Sequence, residues 1–180
     1  LSVYNCGYNV SCNGANDGSV TVSFTGGADC QVAVAGTAGP VVTTNSGFSP
    51  ITLSNLTAGT YNITLTDANG CQDFTTVTLT EPDPLVIDAG PNHVVYYGYQ
   101  DSACAFLQAT GHMGGCAPYS VVWTDDQNNT VATGDTVTVC PQTSTTYYAT
   151  ITDQNGCSFT DSAIVCVVDV RCNSNNGNGG

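Results

Sequence analysis

Two nearly identical strings constrain this chain most strongly: TDANGC at residues 66–71 and TDQNGC at residues 152–157. Asn-Gly is the strongest short signal for a two-residue β-hairpin turn, because a type I′ turn needs positive φ at both central positions. Each string follows a run of alternating strand residues, YNITLTD at 61–67 and YYATITD at 147–153, and each ends on a cysteine. The sequence therefore predicts two copies of one hairpin-containing β unit, 86 residues apart.

The composition favours strands and turns over helices. Glu81 is the only glutamate, Arg171 is the only residue of the Lys and Arg class, and the strong helix formers are correspondingly scarce. Thr, Val, Tyr, Gly, Asn and Asp are abundant instead, and these residues are typical of strands and turns. We expect an all-β protein.

The charge balance limits the partners of the chain. One Lys or Arg stands against fourteen Asp or Glu, a formal net charge of −13. A chain without a basic patch cannot neutralise phosphates, which argues against nucleic-acid binding and against attraction to anionic lipid surfaces. No apolar run approaches the roughly 20 residues of a membrane-spanning helix, so we expect no membrane insertion of this segment.

The joint between the two units is the sequence EPDPL at 81–85, which is stiff because proline fixes φ and restricts the residue before it. We therefore expect domains at 1–83 and 84–172. The tail NSNNGNGG at 173–180 reads as a flexible Gly/Asn linker, because it has no side chains that could form a core.

Short alternating strands separated by turns favour a two-sheet sandwich in each unit. Tyr61 and Tyr147 fall where an immunoglobulin-like sandwich has its tyrosine corner, and Trp123 falls on the expected third strand, where such folds bury a large aromatic. The predicted fold is therefore two tandem immunoglobulin-like β-sandwich domains, and domains of this size benefit from disulfides.

Ten cysteines in a chain with few other reactive groups point to disulfides in an oxidising, extracellular compartment. Zinc is a weaker alternative, because no CxxC occurs and His93 and His112 stand apart from any close cysteine pair. The predicted units contain four and six cysteines, which permit three and fifteen pairings. The preferred pairs are Cys12–Cys71, Cys6–Cys30, Cys104–Cys140, Cys116–Cys157 and Cys166–Cys172, and Cys172 can alternatively bond to a following segment.

Several motifs resemble a known family of bacterial surface proteins. VSCNGANDGSVTVSFTGG at 10–27 and LSNLTAGTYNITLTDANGCQDFTTVTLTEP at 53–82 closely resemble the SprB repeat of Bacteroidota adhesins. IDAGPN at 87–92, APYSVVW at 117–123 and TYYATITDQNGCSFTDSAIV at 146–165 resemble the PKD-like, immunoglobulin-like modules that accompany those repeats. The resemblance implies very large tandem-repeat proteins that the type IX system secretes to the cell surface for gliding or adhesion.

The resemblance carries two further expectations. Leu1 looks like the Leu85 position of a preceding unit, so we expect the chain to be a piece of a longer array. The stretch GGADCQVAVAG at 26–36 departs from the usual GGTxPYxYxW, and the extra Cys30 suggests that a disulfide replaces part of the core.

The sequence contains no recognisable catalytic constellation, since neither histidine lies in a triad motif and bridged cysteines cannot be nucleophiles. We expect no enzyme and no obligatory cofactor. The oxygen-rich loops CNGANDGS at 12–19 and TDDQNNT at 124–130 make Asp17, Asp125 and Asp126 weak calcium candidates, although turn formation is the favoured explanation of these residues.

Two kinds of surface site remain as hypotheses. Ser102, Thr136 and Ser162 fit the Asp-(Ser/Thr)-apolar pattern of Bacteroidota O-glycosylation, if the resemblance holds. Tyr96, Tyr97 and Tyr99 in VVYYGYQ at 94–100 are candidates for binding a glycan, with strand packing as the alternative interpretation.

The leading functional hypothesis is a structural one: a stalk or spacer segment of an extracellular adhesin or filament. Its partners would be neighbouring repeats of the same chain or other copies in a fibre, joined through unpaired strand edges. The alternative is a recognition module that binds surface glycans.

Overall fold

The computed structural model describes residues 1–25, 30–36, 41–98 and 103–171, without the side chains of 41–45. The chain divides into two compact units. The first comprises Leu1–Pro84 together with Gly115–Ala117, and the second comprises Leu85–Gly114 and Pro118–Gly180. Apart from one 3-10 turn at Asn5–Gly7, the regular structure of the described residues consists of strands, so the chain is all-β.

The described residues of the first unit form six strands in two antiparallel sheets. They are β1 (Gly18–Val22), β2 (Cys30–Gly36), β3 (Val41–Gly47), β4 (Ile51–Leu56), β5 (Gly59–Thr66) and β6 (Gln72–Leu79). One sheet pairs β1 with β4, and the other has the order β3-β2-β5-β6. Because consecutive strands are divided between two sheets that enclose one core, the unit is an immunoglobulin-like sandwich.

Alternation of apolar and polar residues builds the core of the first unit. Every second residue of a strand points to the same face, so one face of each strand can be apolar. The core residues are Val20, Val32, Val34, Ile51, Leu53, Leu56, Tyr61, Ile63 and Leu79. The Tyr61 hydroxyl donates a hydrogen bond of 2.8 Å to the carbonyl of Thr57, which forms the tyrosine corner expected from the sequence.

In the second unit, nine strands lie within the part of the chain that the structure describes. They are β7 (Val86–Asp88), β8 (His93–Tyr97), β9 (Ala105–Gln108), β10 (Thr110–Met113), β11 (Ser120–Thr124), β12 (Thr130–Thr133), β13 (Thr136–Val139), β14 (Thr145–Thr152) and β15 (Ser158–Asp169). A five-stranded sheet has the order β12-β11-β14-β15-β8, and β7–β10 and β9–β13 form two shorter pairs. All pairings are antiparallel except that of β8 with β15, which is parallel.

Trp123 lies at the centre of the second core. Its side chain is fully buried on β11, and its indole Nε1 donates a hydrogen bond of 3.1 Å to the carbonyl of Gly134. Leu107, Ala149, Ile151 and Val165 are also inaccessible to solvent in the same core. The prediction that Trp123 is a buried aromatic of the core is therefore confirmed, although its strand β11 is the fifth described strand of the unit and not the third. The chain forms two tandem immunoglobulin-like sandwiches.

The disulfides correct most of the preferred pairings. Cys6 is bonded to Cys116, with their Cα atoms 5.9 Å apart, so the pairs Cys6–Cys30 and Cys116–Cys157 are wrong. Each preferred pair joins two cysteines of the same predicted unit. The segment Gly115–Ala117 instead belongs to the first unit, where Gly115 donates a backbone hydrogen bond to Asp83, and this brings Cys116 to Cys6.

One of the preferred disulfide pairs is confirmed. Cys104 and Cys140 form a disulfide, the pair preferred from the sequence, because they extend the ladder in which Ala105 faces Val139. Cys12 and Cys157 are both disulfide-bonded.

Two exposed thiols remain. Cys71 and Cys166 take part in no bridge within the described chain, and because Cys12 is bonded while Cys71 is not, the preferred pair Cys12–Cys71 is also wrong. The pair Cys166–Cys172 stays a prediction, because Cys172 is outside the described residues. Cys172 and the tail 173–180 lie outside the described residues.

Candidate functional site

The two Asn-Gly hairpins have the same hydrogen-bond geometry. Asp67 Oδ1 accepts the backbone N–H groups of Asn69 at 2.9 Å and Cys71 at 2.8 Å. In the second unit, Asp153 Oδ1 accepts those of Asn155 and Cys157, both at 2.9 Å. The aspartate of TDxNGC therefore holds the turn by binding its backbone amides, and the role of the motif is structural.

The calcium candidate Asp17 is occupied by local hydrogen bonds. Its Oδ1 accepts the N–H of Ser11 at 3.0 Å, and its backbone carbonyl accepts the hydroxyl of Tyr4 at 3.0 Å. Partial burial would by itself raise the pKa of the Asp17 carboxyl, but the hydrogen bonds from Ser11 outweigh it and lower the pKa below the ordinary value.

Asp125 acts in the same way in the other oxygen-rich loop. Its carboxylate accepts the side-chain and backbone N–H groups of Asn129 and the N–H of Gln127, and the bonds from Asn129 lower its pKa most. Among the described residues, no three His, Cys, Asp or Glu side chains converge as a metal site would require. Calcium binding by Asp17, Asp125 and Asp126 stays a prediction. The hydrogen bonds given above account for the turns at Asp17 and Asp125 without a metal ion.

His112 is the histidine with the most distinctive surroundings. Its Nε2 lies 3.5 Å from Asp135 Oδ1, and its ring meets the ring of Tyr119 edge-on, with centroids 6.2 Å apart. No hydrogen-bond partner of Nε2 is found in the described part of the chain. The contacts that the structure gives His112 are therefore the ring of Tyr119 and the carboxylate of Asp135.

The tyrosine candidates do not form one platform. Tyr96 and Tyr97 are consecutive in β8 and therefore point to opposite faces of the sheet. Tyr96 is 56% exposed on the outer face, whereas Tyr97 packs against the core and carries the guanidinium of Arg171, 4.7 Å above its ring. Tyr99 lies outside the described residues.

Arg171 is tied down locally. Its Nε donates to Asp169 Oδ1 at 2.9 Å, and the hydrogen bonds from Arg171 lower the pKa of the Asp169 carboxyl to about 2. The single Lys or Arg of the chain is therefore paired with a neighbouring acid.

The two O-glycosylation candidates that are described lie on accessible strand positions. Thr136 begins β13 and Ser162 lies within β15, and both side chains are exposed. Ser102 lies outside the described residues. Modification of these positions stays a prediction.

An open groove lies at one edge of the first sandwich. It has a volume of about 350 Å³, and its apolar lining comes from Val22, Phe24, Ile63, Leu65 and Phe74. Phe24 and Leu65 are only half-buried, and Phe74 is 68% exposed. The sandwich is therefore incompletely filled on this side.

A second apolar surface was missed by the sequence analysis. On the outer face of the second unit, Val94, Tyr96, Ile164 and Val168 are 57%, 56%, 40% and 42% exposed, and the exposed Cys166 lies among them. We call these five residues the outer patch. The signal in the sequence is SAIVCVV at 162–168, which is apolar on both faces of the strand instead of one.

Comparisons with known proteins give likenesses of fold alone. No protein-family profile and no curated protein sequence matches the chain. Solved structures similar to it include the three N-terminal domains of the outer capsid protein Hoc of bacteriophage RB49, with 15% identity and a TM-score of 0.47 over 92% of this chain and 59% of that one.

Two other similar structures are the fibronectin(III)-like modules of Clostridium thermocellum CbhA (11% identity, TM-score 0.41, 92% of both chains) and DIP-gamma IG1+IG2 (11%, 0.43, 93% of this chain and 96% of that one). All three scores lie below 0.5, so the fold assignment depends on the strand order given above. In the described residues, no helix has the length and apolar character needed to cross a membrane.

Proposed function

We propose that this chain is a load-bearing and adhesive segment of an extracellular bacterial surface protein, built from tandem immunoglobulin-like units. The observation that carries the proposal is the parallel pairing of β8 with β15, over five residue pairs from His93–Val165 to Tyr97–Asp169. β8 is the second strand of its unit and β15 is the last. Tension applied along the chain therefore pulls the two parallel strands in opposite directions and loads their hydrogen bonds together.

Further bonds extend this ladder at both ends. The backbone N–H of Ile164 donates to Asn92 Oδ1 at 2.8 Å, before the first residue pair. Beyond the last pair, the N–H of Val170 donates to the carbonyl of Tyr97 at 2.9 Å. The connection between the first and last parts of the unit is therefore longer than the strand pairing alone.

The disulfide Cys104–Cys140 limits how far the second unit can extend after it unfolds. Its cysteines are 36 positions apart. A fully extended chain spans at most about 3.3–3.6 Å per residue, so the bridge withholds roughly 120 Å of extension. A stalk that is pulled intermittently benefits from a disulfide that limits its extension in this way.

Cross-strand threonine pairs support an exposed, soluble stalk. Thr60 bonds to Thr78 at 3.1 Å and Thr150 bonds to Thr160 at 2.8 Å through their hydroxyl groups. These four hydroxyl side chains are polar without being ionised, which suits the solvent-exposed parts of a stalk. Disulfides of this kind are typical of extracellular proteins.

Single-molecule stretching tests the mechanical role. Replacement of Val170 by proline removes the N–H bonded to Tyr97, and Val170→Ala is the matched control that keeps it. We expect the unfolding force of the second unit to fall for Val170→Pro and to stay unchanged for Val170→Ala. Reductant should lengthen the extension of that unit by roughly 120 Å. Equal forces for wild type and Val170→Pro would contradict the load-bearing role of the ladder.

The finer identity proposed is a SprB-like repeat followed by a PKD-like module in a type IX-secreted adhesin of Bacteroidota, and the quoted motifs support it. Antibodies against the chain should label the surface of the source cells, and labelling should be lost in mutants of type IX secretion. Labelling confined to the cell interior would contradict this assignment. The partners would be neighbouring repeats or other copies in a fibre.

Glycan recognition is the second candidate, and the exposure of Tyr96 favours it. The Tyr96 ring offers an accessible face beside the aliphatic Val94, a surface on which a sugar ring can stack. Selective binding on a glycan array that is lost with Tyr96→Ala but kept with Phe74→Ala would support recognition. Absence of glycan binding by the wild type would exclude glycan recognition as a function of this chain.

A further inference from the structure

The outer patch differs from the corresponding face of the first unit at two aligned positions. When the hairpins are aligned on Cys71 and Cys157, the outward positions Thr78 and Thr80 of the first unit correspond to Ile164 and Cys166 of the second. The first unit thus has hydroxyl groups where the second has an aliphatic side chain and a thiol. A strand that is apolar on both faces is typical of a sheet that is covered on both sides.

The register brings the members of the outer patch together. Cys166 faces Val94 across the parallel ladder, and Val168 faces Tyr96 in the same way. Ile164 lies two residues before Cys166, on the same face of β15. The thiol is therefore surrounded by apolar side chains from two adjacent strands, and contiguous exposed apolar surface of this kind marks an interaction site.

The central thiol identifies the occupant. We propose that a second copy of this chain docks face to face on the outer patch, with a disulfide between the two Cys166 residues on the two-fold axis. A two-fold axis through Cys166 makes the patch its own complement, because each residue then meets the equivalent part of the other copy. A bound glycan would leave the thiol without a function.

The geometry of stacked sheets allows this bond. Sheets pack about 10 Å apart face to face, and a disulfide joins the two facing sheets of an antibody domain across the same kind of space. The proposal goes beyond the load-bearing function, since an isolated stalk can carry tension without a lateral partner.

The covalent step needs an oxidant, which we assign to the class of low-molecular-weight disulfides. One Cys166 thiolate attacks such a disulfide, forms a mixed disulfide and releases one small thiol. The Cys166 thiolate of the second copy then attacks the protein sulfur of the mixed disulfide and releases the second small thiol. The small disulfide is reduced to two thiols, the two cysteines are oxidised, and two protons pass from the cysteines to the products.

Net charge opposes association without acting at the patch. Each copy carries a formal charge of −13, but none of the five patch residues is a charged type. Repulsion therefore comes from more distant acids and is screened beyond about 8 Å at physiological ionic strength. Dimerisation should strengthen as salt is added.

The test incubates the full chain with oxidised glutathione and resolves the products by non-reducing electrophoresis. The matched control is Cys71→Ser, which removes the other exposed thiol and leaves the patch intact. We expect wild type and Cys71→Ser to give a covalent dimer that reductant separates, and Cys166→Ser to give no covalent dimer. A dimer that disappears in Cys71→Ser, a wild type that stays monomeric, or a peptide map that shows Cys166 bonded to Cys172 would each overturn the proposal.

A second measurement examines the non-covalent contact in the Cys166→Ser background by sedimentation. Tyr96→Asp should weaken dimerisation about tenfold or more, because it places a charge in a desolvated contact. The control Phe74→Asp changes an equally exposed aromatic in the first unit and should leave the association unchanged. Equal effects of the two substitutions would show that the association does not use the outer patch.

Discussion

The two hairpin aspartates provide a matched pair for testing how burial changes the contribution of a hydrogen bond to the free energy of unfolding. Asp67 and Asp153 each accept two backbone N–H groups within their turn, at distances between 2.8 and 2.9 Å. Asp153 is buried, with 6% of its surface exposed, whereas Asp67 is only half-buried. Alanine at either position deletes the same acceptors from different surroundings.

The expected costs differ because water can replace only one of the two carboxylates. Loss of a partner leaves a buried donor unsatisfied at a cost of about 1–3 kcal/mol, so two donors in the turn of Asp153 give roughly 3–5 kcal/mol. Around Asp67, water reaches the freed amides, and we expect about 1 kcal/mol. A urea m value near 1 kcal/mol/M places the midpoint of the second unit about 3–5 M lower in Asp153→Ala.

The assay separates the units because Trp123 is the only tryptophan and lies in the second core. Its fluorescence should report the large shift in Asp153→Ala and none in Asp67→Ala, whose smaller shift should appear in far-ultraviolet circular dichroism. Asp153→Asn keeps an acceptor oxygen and should recover at least half of the loss. Equal shifts for the two alanine variants, or a loss below about 1 kcal/mol for Asp153→Ala, would refute the reasoning from burial.

Three further predictions follow from the same contacts. Tyr61→Phe removes the bond to Thr57 and should destabilise the first unit by about 1–2 kcal/mol in urea unfolding, whereas Tyr4→Phe, an exposed phenol, should change it by under about 0.5 kcal/mol. The depressed pKa of Asp169, about 2, means that its pairing with Arg171 stabilises the fold above pH ~4 and stops doing so as the pH falls towards 2; the stability curves of wild type and Arg171→Ala should therefore converge at pH 2. Calcium should produce no heat on titration and no change in melting temperature relative to chelator, because local amides already bind the loop carboxylates.

Much of the fold follows from local signals. Asn-Gly dipeptides after alternating runs fix two hairpins, and alternation with period two fixes which side chains enter the core. Tyr61 and Trp123 were placed correctly because their roles depend on strand order, which the turns determine. Each of these signals spans only a few neighbouring residues, and the backbone geometry of those residues decides the turn or strand that they form.

The disulfide pairing could not be obtained in this way. Equal parity of cysteines in the two halves suggested closure within each half, but the short segment Gly115–Ala117 packs with the first unit. Pairing depends on which Cα atoms approach within about 4–7 Å, and that distance is a property of the completed fold. Cys104–Cys140 was accessible to sequence reasoning because its cysteines flank two strands that pair directly.

The candidate ligand site shows the same distinction. The three tyrosines of 94–100 were grouped because they are close in sequence, yet strand geometry sends Tyr96 outward and Tyr97 inward. Conversely, Tyr96 and Val168 are far apart in sequence and lie opposite each other in the parallel ladder. A surface on a sheet is assembled across strands, so proximity along one strand is a poor guide to it.

The contrast between β6 and β15 shows where selection for solubility was relaxed. Both are the last strand of their unit and both follow the same hairpin, yet the outward face of β6 ends on Thr76 and Thr78 after the exposed Phe74, whereas that of β15 ends on Ile164, Cys166 and Val168. The first unit has Thr78 and Thr80 at the positions that correspond to Ile164 and Cys166, so the sandwich itself does not require apolar residues at those two positions. An exposed apolar strand also raises the risk of aggregation. Its presence is explained if the outward face of β15 is covered in the assembled protein, and substitution of Ile164 and Val168 by threonine should then preserve the stability of the unit in urea while weakening self-association.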